Sequence, residues 1–203
     1  MIPVQRADVR QAERSHPDII AIGSPVGGGA SLAELLSHFS WEMEASIFVV
    51  LHAAGECPML LADILNGAGR MRAAEAVDGE AVVRRRVYVA ADGKYVLIRD
   101  GKVHLSSNGA EYPRRPSIDA LFSSAAEAYR ERVIGVLLLH AREDGAHGLH
   151  AIRRAGGRTV THRNREMLEE LRHPETGELL ADEHLELEEI ARRILGFVNG
   201  LSE

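Results

Sequence analysis

The chain has 203 residues, a length suited to one domain, and its 45 % hydrophobic and 27 % charged content is that of a globular protein with a core. A net charge of −6 argues against a nucleic-acid partner, because phosphate binding needs a concentrated basic surface. The single cysteine, Cys57, excludes a disulfide scaffold and fits a reducing compartment.

Residues 1–17 are polar, with Arg6, Asp8, Arg10, Glu13 and Arg14 spread through them. They read as a leader without the apolar run of a signal peptide, ahead of a single domain over 18–203. No stretch approaches the roughly 20 apolar residues that span a bilayer, so membrane insertion is not expected and a cytoplasmic location is. Asp18-Ile19-Ile20-Ala21-Ile22 is a short apolar run stopping at Gly23, the pattern of a buried strand ending in a tight turn. Leu32, Leu35, Leu36 and Phe39 follow at helical spacing. Ser46 to Leu51 is a second buried strand, ending at His52, and Leu60, Leu61, Ile64 and Leu65 give the next helical stripe. Arg84-Arg85-Arg86 reads as a solvated strand entry.

The middle of the chain differs. Val87–Ala90, Tyr95–Ile98 and Val103–Leu105 are short strands separated by Asp92-Gly93 and Asp100-Gly101, both hairpin signals, which predicts an antiparallel β insertion. Ile118 to Tyr129 reads as a helix with Ser117 as N-cap. Gly135 to Leu139 is a third buried strand, followed by a helix over 145–155 and a short strand around Val160. From Asn164 on the chain is charged and helical, ending in an amphipathic helix carrying Leu185, Leu187, Ile190, Ile194, Leu195 and Val198. Strands alternating with helices imply an α/β fold: a doubly wound, mainly parallel sheet with helices on both faces.

In such a sheet ligands bind where strands end and helices begin. Three strand ends carry notable residues: the turn Gly23 to Gly28, His52, and Glu143-Asp144-Gly145. A hydroxyl in the turn, a histidine on the next strand end and a carboxylate on a third would make a nucleophile, a general base and an orienting acid. Each also has a plain structural role. Ser24 can be a turn residue, His52 a strand-end histidine with a satisfied hydrogen bond, and Asp144 a cap for the helix that follows it.

Several spaced motifs resemble the catalytic domain of the chemotaxis receptor methylesterases, the CheB-type family. Ala21-Ile22-Gly23-Ser24-Pro25-Val26-Gly27-Gly28 is similar to that family's I-G-A-S-x-G-G turn, and Val49-Val50-Leu51-His52 to its V-Q-H strand end. Asp78-Gly79-Glu80 with Val87-Tyr88-Val89-Ala90 resembles its D-G-E…A-Y-I-A-P stretch. The run from Arg115 to Ala126 resembles its R-P-S-V-D-x-L-F-x-S-A-A helix. Gly135 through Leu149 resembles G-V-I-L-T-G-M-G-x-D-G-A-x-G-L. The resemblance implies a Rossmann-like methylesterase fold and hydrolysis of carboxyl methyl esters of protein glutamates. It implies no cofactor and no metal, and as partner a methylated chemoreceptor or another chemosensory protein. The histidine role carries over to His52 and the aspartate role to Asp144.

The serine role does not carry over in register. Aligned without a gap, the family's serine falls on Pro25, which has no hydroxyl, and Ser24 falls on the family's alanine. The T-G-M-G segment reads Leu139-His140-Ala141-Arg142, and charged sequence from Asn164 to Pro174 replaces an F-G-M-P segment. The receiver domain usual in the family is not expected here. Two readings follow: an esterase using Ser24 or a rewired turn with His52 and Asp144, or a catalytically degenerate binding module. Cys57 lies past the His52 loop with no sign of thiolate activation. His140, His147 and His150 near Asp144 read as surface histidines rather than a metal cluster, since no third ligand is pre-placed. Gly27-Gly28-Gly29 lacks the G-K-[ST] ending of a phosphate loop.

Overall fold

The apolar runs of the sequence become the central strands of one parallel sheet. The structure is a computed structural model that describes residues 19–24, 27–52, 58–90, 93–107, 116–138, 144–163, 172, 177–179 and 181–200. In chain order its elements are β1 (Ile19–Ser24), α1 (Gly29–Ser37), β2 (Ser46–Leu51), α2 (Pro58–Ala68), β3 (Arg72–Glu75), β4 (Arg86–Val89), β5 (Tyr95–Arg99), β6 (Lys102–Ser106), α3 (Ile118–Tyr129), β7 (Val133–Leu137), α4 (Ala146–Arg154), β8 (Arg158–His162), β9 (Glu183–Leu185) and α5 (Leu187–Val198). Seven strands pair in the order β3-β4-β2-β1-β7-β8-β9. All of these pairings are parallel.

Both faces of the sheet are covered, which is why β1 and β2 are apolar at nearly every position and buried throughout. Successive side chains still point to opposite faces. Ile20, Ile22, Ile47, Val49 and Leu51 pack with α1, α2 and α5 through Leu32, Leu35, Leu65 and Ile194. Ile19, Ala21, Phe48 and Val50 pack with α3, α4 and the β5–β6 hairpin through Ile118, Phe122, Ile152 and Ile98. β1 connects to β2 on one side and β7 to β8 on the other. The topological switch therefore lies between the C-terminal ends of the neighbours β1 and β7, where open α/β sheets place their ligands.

The doubly wound sheet and the hairpin are as the sequence predicts, with local differences. β5 and β6 form the antiparallel pair, joined at Asp100 (φ 49°) and Gly101 (φ 70°), the two positive-φ positions of a tight hairpin turn. Val87 and its neighbours do not join that insertion: β4 lies in the main sheet, parallel to β2 and β3. Its residues suit either setting, and in the parallel slot Tyr88 is buried with its ring stacked on Phe48 at 4.5 Å. β3 carries few strand-forming residues, and no sequence pattern marks it. Leu185 ends a short edge strand instead of opening the last helix, because β9 pairs with β8. In α2 the buried residues are Leu61, Ala62 and Leu65, while Leu60 and Ile64 are exposed. Among the described residues no helix is long and apolar enough to cross a membrane. The 1–17 leader, Pro25, Val26, Cys57, His140, Ala141 and Arg142, and nearly all of the charged stretch 164–174 lie outside the described residues.

Candidate active site

The end of β1 is held on both sides. The Leu138 N–H donates to the Gly23 carbonyl, and the His52 N–H donates to the Ser24 carbonyl, each at 2.9 Å. His52 continues the alternation of Phe48 and Val50, so its ring turns to the α3–α4 face. There its Nε2 meets Asp144 Oδ2 at 2.9 Å, and both side chains are nearly buried.

Asp144 directly precedes the N-cap Gly145 of α4, yet it caps a different helix. Its Oδ2 accepts from the Ile118 N–H at 2.6 Å, and its Oδ1 from the Asp119 N–H at 2.8 Å and the Ser117 hydroxyl at 3.1 Å. These are donors at the start of α3, which an α-helix leaves unpaired in its own ladder. With His52 the carboxylate accepts four hydrogen bonds, about the capacity of an ionised carboxylate. Burial opposes ionisation, but the His52 hydrogen bond, the two backbone N–H groups and the imidazole charge outweigh it and hold Asp144 below the usual carboxylate range.

Asp119 completes the arrangement from the other side. It sits in the first turn of α3 and accepts from the Gly148 N–H of α4 at 2.6 Å. The two helices thus exchange caps: Asp144 serves α3 and Asp119 serves α4. Burial, only partly offset by the Gly148 N–H, together with the charge and hydrogen bond of Asp144 beside it, pushes Asp119 up to about 6; His147 acts weakly the other way. Close packing fixes the pair of helices. A Cβ on Gly148 would lie 2.5 Å from Phe122 Cβ, and Gly145 has a φ of +110° that favours glycine.

Ser24 is not part of this cluster. It continues the alternation of Ile20 and Ile22, so its side chain turns to the α1 face, opposite to His52. It is fully buried, and its Oγ has no hydrogen-bond partner among the described residues. The structure therefore brings His52 and Asp144 together and leaves Ser24 apart, while Pro25 lies outside the described residues. Among the described residues no group of three or more His, Cys, Asp and Glu side chains could hold a metal ion.

Chemically, the Asp144 contact makes Nε2 of His52 the donor. Its Nδ1, with no partner among the described residues, is the nitrogen able to take a proton or accept a hydrogen bond. Sequence reasoning identified both members of that pair. It missed Asp119 as part of the site and saw Ser117 only as the cap of α3. A serine two residues before an aspartate at a helix start is the one available signal, and it names the cap without naming what the cap touches.

Known proteins place the chain. The CheB methylesterase family matches residues 20–194. The protein-glutamate methylesterase/protein-glutamine glutaminase 2 of Anaeromyxobacter dehalogenans is 35 % identical over 156 residues, covering 77 % of this chain and 46 % of that protein. The protein-glutamate methylesterase FrzG of Myxococcus xanthus is 33 % identical over 159 residues, covering 78 % of this chain and 47 % of that protein. The chain thus spans about half the length of these curated relatives. The crystal structure of the Thermotoga maritima CheB methylesterase catalytic domain superposes with a TM-score of 0.74 at 25 % identity, over 88 % of this chain and 97 % of that one. The shared sheet, the match from the first strand to the last helix and the His52–Asp144 pair at the switch point lead to one conclusion: the chain belongs to the CheB methylesterase family.

Proposed function

We propose that the chain is a recognition module of a bacterial chemosensory system. It binds a glutamyl side chain, or its methyl ester, on a chemoreceptor or another chemosensory protein, and does not turn the ester over. The observation that carries this reading is the facing of Ser24: a buried hydroxyl on the α1 side of β1, with the base on the other side. Acyl transfer from serine needs its oxygen within about 2.6–3.2 Å of the base. Turning Ser24 toward His52 would break its place at the end of β1, where it pairs with Leu51 and its carbonyl accepts the His52 N–H. On this reading His52, oriented by Asp144, contacts the bound carboxyl group.

The intact pair favours a second reading. A histidine held by an ionised aspartate is a working general base, and it could activate a water or a serine presented by a rearranged turn, giving a methylesterase with Ser24, His52 and Asp144 as its catalytic residues. One experiment separates the two. Wild-type protein is incubated with a peptide carrying a glutamyl γ-methyl ester, methanol release is measured against buffer, and binding of the same peptide is followed by calorimetry. We expect binding that is lost in His52→Ala and no methanol above background. Methanol release lost in His52→Ala would overturn the module reading, and its further loss in Ser24→Ala would assign the nucleophile.

A further inference from the structure

Asp119 is a buried carboxyl that neither functional reading uses. Two hydrogen bonds fix it between Asp144 and α4: its own N–H donates to Asp144 Oδ1 at 2.8 Å, and its Oδ1 accepts the Gly148 N–H at 2.6 Å. Moving Asp119 therefore moves the start of α4, and with it the residue just before that helix, Asp144. The donors around Asp144 are already committed to its two oxygens. Two carboxyl groups this close in a dry site do not both ionise readily.

We propose that Asp119 is a positioning residue for the His52–Asp144 pair: its carboxyl clamps the start of α4 while its N–H holds Asp144 Oδ1, so that two aspartates rather than one set the charge behind His52. With Asp119 protonated the cluster carries one negative charge, on Asp144, whose two oxygens already accept from four donors. When Asp119 releases its proton to solvent, a second negative charge appears beside the first. The titratable groups around Asp119 are Asp144, His52 on the far side of Asp144, and His147 on α4. The inference rests on the His52–Asp144 pair being the site, and not on whether the site binds or hydrolyses.

The test is an NMR pH titration of the whole chain, following the amides of Gly148 and Ile118 and the His52 Nε2–H. In the wild type all three should show a step with a common midpoint of about 6, where Asp119 titrates. In Asp119→Asn, which keeps an oxygen for the Gly148 N–H, that step should vanish from all three while the His52–Asp144 contact persists. A step seen at Gly148 alone would make Asp119 a helix cap and nothing more, and would overturn the proposal. So would the absence of any step near that midpoint in the wild type, or a step that disappears in His147→Gln. Where Asp119→Asn fails to fold, Asp119→Glu takes its place: the step should then move together at all three positions, and an unmoved step would overturn the proposal. Neither turnover nor ligand binding enters the readout, so failure here is separate from failure of the functional reading.

Discussion

Gly148→Ala sets local helix preference against packing, and the structure says which wins. In a helix interior alanine is favoured over glycine by about 1 kcal/mol. Gly148 lies in the first turn of α4, where that helix crosses α3, and an added Cβ would lie 2.5 Å from Phe122 Cβ, 3.1 Å from Asp119 Cα and 3.2 Å from Asp119 Oδ1. Two of those atoms are on or next to the α3 backbone, so no rotamer change relieves the clash and the helices must part. Overpacking of this kind costs about 1–3 kcal/mol. Parting the helices also stretches the Gly148–Asp119 hydrogen bond, worth about 1 kcal/mol net. The expected outcome is a net loss of about 1–3 kcal/mol. In urea unfolding followed by circular dichroism, the midpoint should fall by roughly 0.5–1.5 M at unchanged slope. Gly67→Ala is the control, because Gly67 lies in α2 with nothing within 4 Å of the added Cβ, and there the helix preference should stand alone and stabilise. A midpoint for Gly148→Ala equal to or above wild type would refute the close α3–α4 crossing that places Asp144 against His52.

Two further outcomes follow from single buried groups. Ser24→Ala removes a fully buried hydroxyl that has no partner among the described residues, a group that costs about 1–3 kcal/mol to bury, and leaves only a small void. It should therefore raise stability by about 1 kcal/mol, or Tm by roughly 2–4 °C; a loss of more than that in calorimetric melting would show that the hydroxyl is bonded after all. Asp119 should make stability depend on pH in the direction opposite to a salt-bridged aspartate. Its folded value of about 6 lies above the ordinary 3.8, so the native state binds the proton more tightly than the unfolded chain. The stabilisation is then full below about 4 and is lost as pH rises through about 6, by roughly 3 kcal/mol in all. Asp144 works the other way, its contribution being present above 3.8 and lost below it, and His184, held below the usual imidazole range by burial, opposes Asp119 within the same window, so the difference between wild type and Asp119→Asn from pH 4.5 to 7 is the quantity that reports Asp119. Asp119→Asn should flatten the curve over that window, and an unchanged slope would refute the assignment.

Much of the fold is legible because the code for it is local. The apolar runs ending at Gly23 and His52, the Asp100-Gly101 turn and the Ser117 cap each combine a short-range pattern with a backbone preference, and each appears where the pattern predicts. β4 was misplaced because a short apolar strand carries no label for its neighbour. The slot between β2 and β3 is settled by the stacking of Tyr88 on Phe48 and by burial from both faces. β3 was missed because Arg72-Ala73-Ala74-Glu75 has little strand preference, and its pairing with β4 supplies what propensity does not.

The sequence alone determined that His52 and Asp144 each follow an apolar strand, and that the register of the turn sets Pro25 where the family has serine. It could not determine which way Ser24 points. A strand buried on both faces is apolar at every position, so β1 lacks the alternation that would mark its two sides, and only the packing of α1 against one core and α3 against the other makes them distinct. The exchange of caps between α3 and α4 is likewise invisible along the chain, since Asp144 and the N–H groups it accepts from are separated by 25 and 26 positions. Hydrogen bonds between helix ends depend on where two helices cross, and that crossing is set by the close contact at Gly148.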